Sequence, residues 1–288
     1  MITPPPTEPG FIGPGHLAVQ VVRPDDLAAS DPFVLLMDDR LELGAPRQIG
    51  GAHPHAGLET VTLILDGTLA DRDEGELTHG DAIWMTAGRG IIHNEVVHAG
   101  GRARVLQLWI ALPPHERETA PDFEVIRGAT VPVRREPGSI ARLYSGATGT
   151  LRSPTRNRAP VTLVDVTLDP GAHFVQELPA SYNGFGYVVD GDVTIGGHPL
   201  ARGQVGWSGP VAPGGASTLT LDAGAAGARL VLYAGEPQRA PLIQHGPFVA
   251  GSHPEIVELY RRLRAGTFEP MSAVARRHRR EHALPPAR

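Results

Sequence analysis

Two short segments carry side chains whose types and spacing could do chemistry. Residues 50–62 read GGAHPHAGLETVT and set His53 and His55 two apart; residues 88–96 read GRGIIHNEV and set His93 and Glu95 two apart. In an extended strand, residues i and i+2 point to the same face. Two such strands facing each other inside a small barrel bring three imidazoles and one carboxylate together. That donor set suits a divalent first-row metal, and a six-coordinate ion held by it keeps two positions for water, dioxygen or a chelating substrate. Without an ion, the same four groups are costly to bury. A His-x-His pair alone is more often a polar strand face than a metal site; the His-x-Glu that follows a glycine-rich turn is what favours a metal. Glu59 lies one strand turn further on and suits a hydrogen-bonding neighbour of a ligand rather than a ligand. His79, His98 and His115 sit in turn-like contexts and are expected in solvent.

Composition removes several other chemistries. The chain of 288 residues has no cysteine, so disulfides, thiolate metal sites, iron–sulfur clusters and a cysteine nucleophile are excluded. All 26 basic residues are arginine, which excludes lysine Schiff-base chemistry and a P-loop. No Gly-x-Ser-x-Gly elbow of a serine hydrolase is present. A net charge of −5 argues against a nucleic-acid partner. No apolar run approaches the roughly 20 residues that span a bilayer, so no membrane association is expected. The opening MITPPPTEPGFIGPGH lacks the basic and apolar regions of a secretory signal, and a cytoplasmic protein is expected.

The elements that must position these residues read as strands. Short β-type runs recur between Gly, Pro and Asp, among them Val61–Gly67, Asp81–Gly88, Arg104–Leu112, Val161–Leu168, Gly186–Gly197 and Arg229–Gly235. Runs of this length without helix–strand alternation point to an all-β sandwich or barrel. A weak repeat relates TLILDG (Thr62–Gly67) with its following HGDAIW to YVVDG (Tyr187–Gly191) with its following ARGQVGW. The Asp-Gly pairs read as turns between strands. The repeat, with a Ser/Thr/Arg/Pro-rich stretch over Pro137–Pro160, divides the chain into domains at 1–136 and 137–270. One helix is marked at the end of the second domain. Ser252-His253-Pro254-Glu255 is a capping box, Ile256, Leu259, Tyr260 and Leu263 follow at i, i+3, i+4, i+7 spacing, and Gly266 stops it. Residues 271–288 read as a basic, flexible, solvated tail.

At these residues the sequence resembles the pirin family of the cupin superfamily. The matching strings are HPHAGLETVT (His53–Thr62), GDAIWMTAGRGIIHNE (Gly80–Glu95), LQLWIALP (Leu106–Pro113) and PLIQHGPFVAGSHPEI (Pro241–Ile256). The resemblance implies a bicupin, with two cupin jelly-roll barrels in one chain and a C-terminal helix. It implies one metal, in the N-terminal barrel, with ligands matching His53, His55, His93 and Glu95. The usual metal of such proteins is iron; Ni, Mn, Cu or Zn are also to be considered. The C-terminal barrel is expected to be metal-free: setting Asp190-Gly191 on Asp66-Gly67 puts Glu177 and Pro179 where His53 and His55 stand, and His173 and His198 read as turn residues. Pirins typically carry Arg and an aromatic residue where Ala56 and Leu58 stand, which is expected to change the charge and shape of the pocket rim.

Two functions follow from the resemblance. Some bacterial pirins resemble quercetinases, metal-dependent dioxygenases that open the central ring of flavonols with dioxygen and release carbon monoxide. On that reading the substrate is an aromatic or enol small molecule, and Glu95 is both ligand and acceptor of the substrate hydroxyl proton. The alternative is a non-catalytic regulator whose iron oxidation state controls binding to a transcription factor or metabolic enzyme. A monomer is expected in either case.

Overall fold

The structure is a computed structural model. It describes residues 4, 6, 7, 10, 14–23, 25, 27–49, 51–71, 75–94, 97–278, 280 and 281. Contacts divide the chain into two units: Pro5–Thr130 with Gln238–Arg288, and Val131–Pro237 with Met1–Pro4.

The first unit is built from β1 (His16–Val22), β2 (Phe33–Ile49), β3 (Ala52–His55), β4 (Leu58–Asp71), β5 (Gly75–Thr78), β6 (Ala82–Thr86), β7 (Ile91–Asn94), β8 (Val97–Ala111) and β9 (Asp122–Ile126). Its main sheet runs β1-β2-β8-β4-β6-β9 between two short edge pieces, Pro6–Thr7 and Arg280–Glu281. β3 and β7 pair separately from that sheet, with Glu269–Pro270 alongside β7. β6 reads AIWMT and is buried at every residue, as a strand covered on both faces must be. Leu58, Ile64, Ile83, Met85, Ile91 and Phe123 are among the side chains that fill the core of this unit.

The second unit repeats the plan. It comprises β10 (Val133–Glu136), β11 (Ser139–Ser145), β12 (Val161–Leu168), β13 (His173–Pro179), β14 (Asn183–Ile195), β15 (His198–Ala201), β16 (Val205–Ser208) and β17 (Ala216–Gly235). The order is β10-β11-β12-β17-β14-β15, with β13 on β17 and β16 on β14. In each unit the ladder is an open path.

Three local expectations change. Asp66-Gly67 and Asp190-Gly191 are not hairpin turns: each lies inside a continuous strand, immediately after a bulge between Ile64 and Asp66 in β4 and between Val188 and Asp190 in β14. A left-handed glycine absorbs the bulge where the neighbouring strand's carbonyl leaves no room for a Cβ. The capping-box helix forms as read, here α1 (His253–Arg264): the Ser252 hydroxyl accepts from the Glu255 N–H and donates to its carboxylate at 2.8 Å, and Gly266 ends the helix at φ +68°. In space, however, α1 belongs with the first unit, packing Ile256 and Leu259 on Ala56, Phe248 and Phe268. Burying those two aliphatic side chains is worth about 1.5–3 kcal/mol each.

The third change is the first part of the expected tail; residues 279 and 282–288 lie outside the described residues. Met271–His278 form α2, whose Met271 and Val274 are buried in the first unit's core, and Arg280–Glu281 extend β9 in parallel. Their i, i+3 spacing marks one apolar face in an arginine-rich stretch. Among the described residues no helix is long and apolar enough to cross a membrane.

Candidate metal centre

β3 and β7 are antiparallel, with His53 directly opposite His93 and His55 opposite Ile91. Directly opposed residues share a face, and His55 shares it with His53 by the two-residue repeat. Three imidazoles therefore converge. Their ring centroids are 4.8 Å (His53–His55), 5.3 Å (His53–His93) and 6.3 Å (His55–His93) apart. One nitrogen from each lies within 4.8 Å of the others.

Two glycines let the backbone hold this pair of strands. Gly57, at φ +76°, carries the chain from β3 into β4 so close to the Val249 carbonyl that a Cβ has no room. Gly90, at φ +131°, leads into β7 with its α-carbon against the Phe268 ring. The strand Phe248–Ala250 that presses on Gly57 is bridged to Ala56. This corrects the expectation for Ala56 and Leu58: both are fully buried in the core and neither lies at the rim.

The residues suit a metal ion. His53 Nδ1 donates to the Gly51 carbonyl at 2.7 Å, which fixes the tautomer and leaves Nε2 as the ligating atom. His55 Nδ1 is buried with no hydrogen-bond partner, a costly arrangement that coordination relieves. Burial, and secondarily the neighbouring His53 and His93, hold the His55 pKa well below the ordinary histidine value. A neutral imidazole is the form that binds a metal. His93 is buried as well.

Glu95, the expected fourth ligand and proton acceptor, lies outside the described residues. Glu59 is fully buried on β4, where its carboxylate accepts the Thr86 hydroxyl at 2.8 Å. His79 is exposed and hydrogen-bonds the Leu65 carbonyl; His115 is exposed in a short 3₁₀ turn. The side chain of His98 lies outside the described residues. His173 and His198 are strand residues rather than turn residues, and both are exposed.

His53 and His55 open on to a cavity of about 710 Å³. Its walls are mostly apolar, with Val34, Leu35, Met37, Trp109 and Pro247 among them, and its polar groups include Gln20, Asp39 and Gln107. Trp109 sets its ring edge-on to His55 at 5.0 Å. Sequence reading missed Trp109, although the alternation of Gln107 and Trp109 along β8 already puts them on one face.

Two family models match the chain: Pirin over residues 17–110, and the Pirin C-terminal cupin domain over 163–269. The chain belongs to the pirin family. Its two units are the two cupin domains of a bicupin, and the His53, His55 and His93 cluster sits in the N-terminal one. Human Pirin is 36% identical over 241 residues, covering 81% of each chain. Arabidopsis thaliana Pirin-1 is 34% identical over 254 residues, covering 85% of each. Among solved structures, a quercetin 2,3-dioxygenase from Acinetobacter baumannii superposes on this pirin with a TM-score of 0.81 at 26% identity, over 93% of this chain and 97% of that one.

Proposed function

We propose that this pirin is a metal-dependent dioxygenase of the quercetinase type, acting on a flavonol or related enol with dioxygen. One observation carries the reading. Three imidazoles converge, two of them buried and one half-buried, one with an orphaned nitrogen, and His53 and His55 open on to an apolar cavity large enough for a multi-ring aromatic. The likeness to the Acinetobacter quercetin 2,3-dioxygenase supports the reaction class.

His53, His55 and His93 hold the ion, and Glu95 is assigned as the fourth ligand. A bound divalent transition metal, with iron the first candidate and nickel, manganese, copper and zinc the others, supplies Lewis acidity and open coordination positions. The chain supplies the rest. Gly51 orients His53, and Trp109 braces His55. Leu35, Met37 and Pro247 exclude water around the substrate rings. Glu95 takes the proton released from the substrate hydroxyl, which leaves an electron-rich enolate for attack by dioxygen. Ring opening then incorporates the dioxygen and releases carbon monoxide.

The test is oxygen uptake by protein loaded separately with iron, nickel, manganese and copper, offered quercetin, with a His93→Ala control. Uptake that requires both the ion and His93 is the expected result. Fully metallated protein that consumes no oxygen overturns the proposal and favours the non-catalytic regulator.

A further inference from the structure

The wall of the cavity remote from the histidines carries a carboxylate that the dioxygenase reading does not use. Asp39 lies on β2 and lines the same cavity as His53 and His55. Leu35, Met37 and Asp39 alternate on one face of that strand. Leu35 is paired with Trp109, the residue braced on His55, and Met37 with Gln107. Asp39 is thus four strand residues beyond the histidine end, about 13 Å at the usual rise per residue.

This carboxylate is held in place. The Asp39 Oδ1 is 2.8 Å from His16 Nε2, and the side chains are 13% and 0% exposed. The chain is built around that imidazole. A Cβ at Gly10 would run into the His16 ring, and the Gly10 N–H donates to the His16 carbonyl at 2.6 Å. A fully buried histidine that orients a cavity-lining aspartate gives a fixed acceptor, which costs no side-chain ordering when a ligand arrives.

Gln20 lines the same end of the cavity from β1, diagonal to Asp39 across the strand pair. An amide beside a carboxylate matches a hydroxyl group, which donates to the acid and accepts from the amide. We infer that Asp39 is a specificity-determining residue that binds a hydroxyl on the ring of the ligand farthest from the metal. The preferred ligand is therefore an aromatic that chelates at one end and carries a hydroxyl at the other. This rests on the proposed dioxygenase reading and narrows its substrate.

The experiment compares two flavonols with the same chelating 3-hydroxyl: quercetin, which carries hydroxyls on its distal ring, and galangin, which carries none there. Dissociation constants are measured by calorimetry on the full chain loaded with ferrous iron under argon, so that nothing turns over. The expected result is that quercetin binds at least about tenfold tighter than galangin, the range of a hydrogen bond to a charged group. Asp39→Ala should erase that preference and leave galangin affinity unchanged. Asp39→Asn preserves the shape while removing the charge, and should sharply reduce the preference even if the alanine variant does not fold. Equal binding of both flavonols by the unaltered protein overturns the inference and leaves the dioxygenase reading standing. So does a preference that survives both substitutions. Failure of both flavonols to bind removes the dioxygenase reading, and this inference with it.

Discussion

The two cupin units share a scaffold, and the candidate site falls on a short strand pair in which they differ. In the first, Asp38 on β2 takes a bidentate contact from Arg104 on β8 at 2.9 and 2.8 Å. In the second, Asp165 on β12 takes the same contact from Arg229 on β17 at 3.1 and 2.9 Å. The diagonal is identical: each arginine stands two residues before the residue paired with its aspartate. Each arginine also lies opposite the aspartate of the Asp-Gly bulge on the next strand. Ladder, bulge and buried ion pair are therefore duplicated. The histidines are not part of that repeat. They stand on β3 and β7, which pair with each other outside the main sheet, whereas β13 of the second unit is drawn into the ladder with β17 and carries an exposed Glu177 and Pro179 at the aligned positions. The duplicated parts secure the fold, and the chemistry rides on an appended pair of strands that can change without disturbing it.

The sharpest way to break this comparison is to remove one histidine from each unit. His93→Ala should abolish most metal binding, more than the roughly 10–100-fold that loss of an outer hydrogen-bond partner costs. His173→Ala, exposed and paired with Asp222, should leave metal content unchanged. Metal content by elemental analysis decides; equal loss in both variants would end the assignment of the centre to the first unit.

The shared ion pair should give the next largest effect. Removing one partner of a buried pair costs about 3–5 kcal/mol, because the other charge is left uncompensated. Asp165→Ala should lower hydrogen-exchange protection in β12 and β17 by that amount. Asp38→Ala should cost at least as much in β2 and β8, since it also strands Arg40, bound to Asp38 at 2.9 Å. Loss of protection in only one unit would show that the duplication is geometric and not energetic.

A smaller effect belongs to α1. Ser252→Ala removes the cap and should destabilise that helix by about 1 kcal/mol, seen as faster amide exchange over residues 253–258. Hydrogen bonds from the Gly251 N–H and the Ser252 side chain hold the Glu255 pKa below its ordinary value. A depressed carboxylate pKa adds stability above the unfolded value and loses it as pH falls through the folded one. Helix-start amides should therefore begin to fray below about pH 4.5 and not before. Because Glu255 is largely in solvent, the change should be small. Fraying that began near pH 6 would point to another group.

What could be read in advance was whatever is local. Two-residue spacing put His53 and His55 on one face, and the capping box located α1 to the residue. What could not be read was register. Nothing near Trp109 announces that it meets His55, nor anything near His16 that it meets Asp39, because strand pairings distant in sequence bring them together. Asp66-Gly67 and Asp190-Gly191 showed the same limit. A left-handed glycine serves a hairpin and a bulge alike, and only the partner strand distinguishes them. The arginines of 271–288 masked an apolar face as narrow as Met271 and Val274.

Those last residues bear on how the molecule comes into being. The first unit's core includes Met271 and Val274, and Ala56 and Gly57, which lead out of the histidine strand, are covered by residues 248–250. These segments leave the ribosome only after the whole second unit has been made. Residues 5–130 therefore emerge early but close late, with a contact spanning most of the polypeptide as their final step. A nascent chain stalled before residue 248 would carry His53, His55 and His93 without the wall that seats them, so metal capture is a property of the finished protein and not of its first half.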